Sequence, residues 1–378
     1  MYIIEKTEPI KLGPITNTEK KELSQILKNF YGFKALTRTI KRFLEKTASS
    51  KVYKCKVEKL GSLVVKKSFW YTDTNLKLKE RSVRAVEKAY FISEALRKRG
   101  VLLPRTFTNK QGNFVTATGE NKITLLEYLR GNHFSFQDKE FVSSGTALGI
   151  FHRKGAEYLR ENPRERKEII RLIPVEKPYE DSRKIYYKFL RRDLLNNHNC
   201  SNPEICKAVR ENIKAIDKTI KFIDSSGISD TSLASGIIHN DFHINNALFQ
   251  NKKFIGFIDI DQISIGPYIW DVGNTLGSFA AWFLLNNDIR GFESKARKFL
   301  IAYHREFSLP LDEYKLCLAA TQRWDVMRIL RTLRRHHYEN DRLPGLLPKI
   351  KSRLIPRIIA MPKVLEFMTT NWLKSNLK

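Results

Sequence analysis

At 378 residues the chain exceeds the roughly 250 to 300 residues at which one hydrophobic core stops growing, so its interior should be split between two lobes. Its 42% hydrophobic and 29% charged composition excludes a disordered chain. Lys and Arg number 68 against 40 Asp and Glu, and the net charge of +28 favours anionic partners (nucleotide, nucleic acid or acidic lipid) without choosing among them. The basic residues are scattered, from Lys20-Lys21 through Arg334-Arg335 to Lys351, with no detached arm. A solvated basic surface is therefore expected, and nucleic acid is an unlikely partner. The four cysteines, Cys55, Cys200, Cys206 and Cys317, form no metal knuckle and are expected as reduced thiols in a cytoplasmic protein. The start, MYIIEKTEPIKLG, carries no cleavage-site pattern. The most apolar run, Leu276 to Leu285, is about half the ~20 residues of a membrane helix and should be a core helix.

In chain order, Leu23, Ile26, Leu27 and Phe30, then Leu36, Ile40, Phe43 and Leu44, predict a largely helical lead-in over 19–46. Val52 to Trp70 is rich in strand formers and reads as a hairpin turning at Gly61-Ser62. Residues 76–99 place Leu78, Ala85, Ala89, Ile92 and Leu96 on one stripe and end at Gly100, the pattern of a long capped helix. Short strands are expected near 105–107 and 114–118, and an apolar run from Ile123 to Leu129 leads to Arg130-Gly131-Asn132, where the lobe boundary is placed. Beyond it, helices are expected over 137–160 and 204–225, with a charged, less regular stretch over 161–203. Short strands then recur in GIIHND, NALFQ and FIGFIDID before a helical C-terminal part. The expected domains are a lead-in plus small lobe over 1–130 and a helical lobe over 131–378.

Carboxylates, amides and histidines concentrate in Gly236-Ile-Ile-His239-Asn-Asp241-Phe-His243-Ile-Asn-Asn246-Ala-Leu-Phe249 and, a hairpin later, in Phe257-Ile-Asp259-Ile-Asp261. Phosphoryl transfer asks for a carboxylate that orients the attacking hydroxyl and accepts its proton, plus hard oxygen ligands for the magnesium bridging the phosphates. A loop carboxylate, an amide oxygen five positions on and a carboxylate ending the next hairpin supply both. A lone His-x-Asp or Asp-Ile-Asp is more often a satisfied loop or a solvated strand end, and mixed His and Asp could suit zinc or iron. The ordered combination favours phosphoryl transfer.

These residues resemble the aminoglycoside phosphotransferase and choline kinase family, distant relatives of protein kinases, whose catalytic loop is similar to His-Gly-Asp-x-His-x-x-Asn and whose metal segment is similar to Ile-Asp-Phe. The resemblance implies Asp241 as base, Asn246 and Asp259 as metal ligands, and His239 and His243 as loop supports. Asn240 stands where glycine is usual, though Asn also adopts left-handed backbone. Ile265-Gly-Pro267-Tyr-Ile-Trp-Asp271 resembles the segment whose aspartate braces the loop, which implies that role for Asp271, while His152 of Ala147-Leu-Gly-Ile-Phe-His152 is expected to pack. Val64-Val65-Lys66 looks like the phosphate-gripping strand lysine, with Lys67 one register step away as competitor and Glu87 (or Glu94) as the acidic partner. Glu127 and Tyr128 fall in the segment resembling the linker that meets adenine. No Gly-x-Gly-x-x-Gly loop is present, so Thr47 to Ser50 or the Gly61 turn would cover the phosphates.

The fold implied is a two-lobed α+β protein-kinase-like one: a small antiparallel-sheet lobe with one long helix, and a larger, mostly helical lobe. The function implied is ATP- and Mg2+-dependent phosphoryl transfer to a hydroxyl of an amino alcohol, sugar, aminoglycoside or anionic glycan, in the cytoplasm or at the inner face of an anionic membrane. The bulk charge favours an acidic acceptor over a polycationic one. The rival is a non-catalytic kinase-like protein docking on nucleic acid or acidic membrane. The helix-spaced Arg328, Arg331 and Arg335, with Arg334 close by, are read as a solvated face.

Overall fold

The computed structural model describes residues 12–43, 50–69, 83–119, 121–173, 177–196, 203–338 and 350–377. An antiparallel sheet occupies the N-terminal part. Its strands are β1 (Leu12–Gly13), β2 (Lys41–Phe43), β3 (Ser50–Val57), β4 (Gly61–Phe69), β5 (Thr106–Phe107), β6 (Val115–Thr118) and β7 (Asn121–Glu127), in the spatial order β1-β2-β3-β4-β7-β5 with β6 also on β7. Two helices flank it: α1 (Asn17–Ile26), started by a Thr16–Glu19 capping box, and α2 (Val83–Lys98).

The period-2 alternation of β4 sorts the two layers. Leu63 and Val65 face a small core shared with Leu23 and Leu27 on the α1 side and with Tyr53, Cys55 and Ile123 of the sheet. Val64 and Lys66 face the other way, toward α2, whose Ala85, Ala89, Ile92 and Leu96 belong to a second, larger core. That second core continues without a break into the helical remainder, so the sheet is rooted on it through α2.

The remainder comprises α3 (Asp138–Glu161), α4 (Pro163–Leu172), α5 (Lys177–Ile185), α6 (Arg191–Leu195), α7 (Pro203–Glu211) and α8 (Ile213–Ser225). Two small hairpin-like pairs follow, β8 (Ser235–Ile238) with β11 (Ser264–Pro267), and β9 (Ala247–Gln250) with β10 (Lys253–Phe257). Then come α9 (Tyr268–Leu285), α10 (Ile289–Glu306), α11 (Leu311–Tyr314), α12 (Cys317–Tyr338) and the helices Ile355–Val364 and Thr370–Asn376. No helix among the described residues is long and apolar enough to cross a membrane.

Four expectations change. The lead-in is helical only to Tyr31, because Gly32 turns into the left-handed region at φ 72°, and Lys41–Phe43 then joins the sheet. The hairpin turn lies over 58–60, where Lys59 takes φ 66°, and Gly61 already opens β4. The charged stretch 161–203 is largely helical where described: α4 and α5 show their charges to solvent and bury single stripes such as Ile169 and Tyr179. Cys206 is disulfide-bonded whereas Cys55 and Cys317 are free and buried. Sequence spacing does not set the distance between sulfurs, so the expectation of four reduced thiols fails. Leu78 and the 44–49 segment lie outside the described residues.

Candidate active site

The site begins with α9. Asp271 sits in its first turn, fully buried, and accepts from the backbone N–H groups of His239 (2.7 Å, to Oδ2) and Asn240 (2.8 Å, to Oδ1). His152 of α3 meets Asp271 Oδ2 through Nε2 at 3.1 Å and Tyr303 Oη through Nδ1 at 2.8 Å. Burial holds the His152 imidazole below its usual pKa, against the pull of Asp271. The residue expected merely to pack thus ties α3, α9 and α10 to the loop.

The loop that Asp271 holds carries the residues expected to do the chemistry. Asn240 adopts φ +63°, the left-handed backbone that Asn tolerates, so the departure from glycine leaves this turn intact. His239 is buried and lies across the loop to Ile258 O at 3.2 Å through Nε2, which makes that nitrogen the donor; burial depresses its pKa, so the ring is neutral. Asn246 Nδ2 donates to Asp241 O (2.8 Å) and more weakly to Asp241 Oδ2 (3.3 Å), turning its Oδ1 away from those contacts. Ser278 and Thr275 of α9 hold the backbone at Ile244 N (3.3 Å) and Phe242 O (3.5 Å). His243 accepts from Asn245 N through Nδ1 at 3.2 Å, capping the short 3-10 turn Ile244–Asn246, while its Nε2 lies 3.8 Å from Asp241 Oδ1.

Ile258 N donates to Asn246 O at 3.0 Å, which docks the end of β10 on the loop. Asp259 follows in left-handed backbone, φ 60° and ψ 48°. Lys66 reaches across from β4 to pair with Asp259 Oδ1 and, at 2.7 Å, with Asp261 Oδ2. Burial pulls the Lys66 pKa down, but the two carboxylates outweigh it and hold the ammonium well above its usual value. Asp241 moves the other way: burial first, then the nearby Asp259 and Asp261, raise its carboxyl to about 8, against the opposing charges of Arg328 and Lys66.

The structure chooses between the competing lysines. Lys66 enters the cleft, and Lys67, one register step on, pairs with Glu22 of α1 at 2.6 Å on the far face. Val52 lies opposite Lys66 and Gly61 opposite Val57, so the Gly61 turn is five residues of strand from Lys66. Ser50, where β3 begins, pairs with Ser68, two residues on from Lys66. Glu87 does not take the expected place beside Lys66: its carboxylate accepts from Phe114 N and Val115 N at 2.7 Å each, fastening α2 to β6. Glu94, the alternative, accepts from Thr106 N at 2.5 Å and pairs with Arg97. Orphan N–H groups at strand starts outcompeted the lysine for both acids. Glu127 accepts from Arg105 N at 3.1 Å, and Tyr128 lies under Lys54 at 3.6 Å with its own N–H on Ser62 O at 3.3 Å.

Sequence reasoning left two contributors out of the site: His152 and Asp261. His152 carried a signal in its Leu-x-x-x-His spacing, and Asp261 in its position two after Asp259.

The sequence pattern of the phosphotransferase enzyme family matches residues 40–308. A search of curated protein sequences returns no significant match. Among solved structures, a spectinomycin phosphotransferase bound to AMP superposes with a TM-score of 0.60 at 14% identity, covering 93% of this chain and 99% of that one. An amicoumacin kinase in complex with AMP-PNP, Ca2+ and its antibiotic gives 0.58 at 14% identity, covering 90% and 98%. A putative aminoglycoside phosphotransferase from Ralstonia eutropha gives 0.55 at 11% identity, covering 94% and 99%. The fold is therefore the kinase-like one, and with well over half of its length matched the chain belongs to the phosphotransferase enzyme family.

Proposed function

We propose that this phosphotransferase moves the γ-phosphoryl group of ATP to a hydroxyl of a small molecule, with Asp241 as the base. The observation that carries the reading is the convergence of Asp241, Asn246 and Asp259 with Lys66 in one cleft, three of them drawn from a single braced loop and hairpin. Asp241 orients the acceptor hydroxyl and accepts its proton. A carboxyl raised to about 8 takes a proton readily near neutral pH, and it ionises once further cations offset Asp259 and Asp261. Lys66, kept charged, steadies the phosphates.

The residues present fit a magnesium ion. Asn246 offers an amide oxygen, its Nδ2 being committed to Asp241, and Asp259 and Asp261 offer carboxylates: hard oxygen donors throughout. Bound there, magnesium would neutralise the charge that develops on the transferred group. Solved relatives of the fold hold AMP-PNP with Ca2+ or ADP, which supports nucleotide and divalent metal here. His239, His243 and Asp271 position the loop, and Glu127 and Tyr128 are the residues proposed to meet the nucleotide base.

The test is magnesium-dependent ATP turnover by wild type and Asp241→Asn against pools of amino alcohols, sugars, aminoglycosides and envelope glycans. Stimulation by one pool, lost in the variant, is the expected result. ATP binding that persists in Asp241→Asn, with no turnover by wild type in any pool, would instead favour a binding protein.

A further inference from the structure

A groove of about 700 Å³ opens between α3, α10, the turn after α2 and the tip of the β9–β10 hairpin. Its walls are apolar, formed in part by Leu102 of the turn, Val142 of α3 and Phe254 of β10. Leu102 and Val142 are 47% and 42% exposed; singly such exposure is ordinary, but here the two converge on one concavity. The walls are fixed. A Cβ at Gly145 would collide with Phe299 O, and one at Gly149 would come within 2.8 Å of Tyr303 O, so glycine lets the α3 backbone lie directly on α10. Leu102 O accepts from Phe257 N at 3.0 Å, and the Phe254 ring packs 4.6 Å from that of Phe257, which ties the turn and the floor to β10.

The rim is cationic. Lys139 stands at the start of α3, and Lys252 and Lys253 at the hairpin tip; all three are exposed, and among the described residues none pairs with a carboxylate. Lys298 of α10 completes the rim and pairs with Asp138, which also takes Lys295, so one carboxylate serves two lysines and leaves an excess of positive charge there too. Burial and the charge of Lys298 pull the Lys295 ammonium below its usual pKa, as expected where cations crowd. The α12 arginines differ: Arg334 is buried, against the expectation of a solvated face.

We propose that this groove binds a single-chain anionic amphiphile, its alkyl tail along Val142 and Phe254 and its acidic head on the lysines of the rim. An apolar wall recovers the hydrophobic free energy of the tail, and four ammonium groups at the edge select an acidic head over a neutral or cationic one. The concavity falls in the roughly 300 to 1,000 Å³ range of small-molecule sites, which a chain can fill and a flat bilayer surface cannot. The proposal stands apart from phosphoryl transfer: the groove meets the β9–β10 hairpin at its tip, whereas Asn246 and Asp259 flank the opposite, open end.

Calorimetric titration of the full chain with butanoate, hexanoate, octanoate and decanoate, each below its micelle concentration, tests it. Binding should saturate at one per chain and tighten with length, by up to about fourfold per methylene. The overall charge of +28 attracts any anion, so local variants decide. Val142→Glu, at an exposed position, should weaken decanoate by about tenfold or more. The pair Lys252→Glu and Lys253→Glu should weaken it about tenfold, while the same change of charge on α8, Lys218→Glu with Lys221→Glu, should stay within about twofold, all with wild-type urea midpoints. Should Val142→Glu fail to fold, the two lysine pairs still decide. Affinity indifferent to chain length, uptake that does not saturate, or an equal loss in the α8 pair overturns the proposal and leaves only general attraction of anions. Binding to phosphatidylglycerol vesicles without saturable binding of decanoate, or a dimer that Val142→Glu dissociates, overturns it in favour of a membrane or a second copy. None of these outcomes bears on Asp241 as base.

Discussion

Asp271→Ala tests whether the loop is held from α9. In the folded protein the Asp271 carboxylate accepts from two adjacent backbone N–H groups, at 2.7 Å and 2.8 Å, and meets His152 at 3.1 Å, all in a fully buried pocket. Each hydrogen bond to a charged group is worth roughly 1.5–3 kcal/mol. Removing one partner of a buried charged cluster costs roughly 3–5 kcal/mol, because the donors left behind stay desolvated. With a urea dependence of about 1–3 kcal/mol per molar, the midpoint should fall by at least about 1 M. The loop should also lose its fixed position, and a misplacement of about 1 Å is enough to cost roughly 100-fold in turnover. Asp271→Asn keeps the shape but offers one acceptor and one donor to two donors, so it should fall between alanine and wild type. Urea unfolding, turnover and hydrogen exchange at the His239 and Asn240 amides measure the three effects. A midpoint within about 0.3 M of wild type, with the two amides still protected, would refute the bracing argument.

Asp241→Asn should abolish transfer yet stabilise the ligand-free protein as pH rises. The native carboxyl titrates at about 8 against an ordinary 3.8, so below about pH 4 both states hold the proton, and between 4 and 8 only the unfolded chain releases it. Native stability relative to the asparagine variant therefore falls by up to about 1.4 kcal/mol per pH unit across that window, and a difference in urea midpoint that is the same at pH 5 and pH 8 would contradict the burial argument. Lys66→Met should raise the KM for ATP about tenfold or more, whereas Lys67→Met, which loses only its contact with Glu22, should stay within about 1 kcal/mol in stability and about twofold in turnover; equal effects would mean that the strand register is misassigned. His152→Phe keeps the volume but deprives Asp271 and Tyr303 of a buried partner, and should cost roughly 1–3 kcal/mol and lower kcat with little change in KM. A lowered KM-dominated profile would place His152 in substrate binding.

The candidate loop was legible in the sequence because its residues are local: Asp241, Asn246 and Asp259 fall within twenty residues, and the structure brings them together. Asp271 was legible through its own motif. What the sequence could not disclose depends on contacts between distant segments. Glu87 and Glu94 are correctly placed on α2, but which of several partners a helix acid takes is decided by the orphan amides of β5 and β6. Alternation along β4 left two lysines open, and only the side on which α1 docks separates them. The helical lead-in failed at one residue, Gly32, whose left-handed turn ends a pattern that hydrophobic spacing alone would continue. The α12 arginines show the same limit, since one helix carries buried, half-buried and exposed arginines that its own periodicity does not rank.

The charges of the cleft explain why its parts stay poised in the ligand-free protein. Three carboxylates, Asp241, Asp259 and Asp261, act on one another, and Lys66 pairs with the last two. Lys66 is occupied by Asp259 and Asp261, and the remaining excess of negative charge is relieved by a proton on Asp241. If Asp259 takes a metal ion as proposed, it must give up Lys66, so filling that position and freeing the lysine for phosphate would be one exchange, not two. The same exchange would lower the repulsion that raises the Asp241 carboxyl, which would couple the proposed base to the presence of metal and nucleotide.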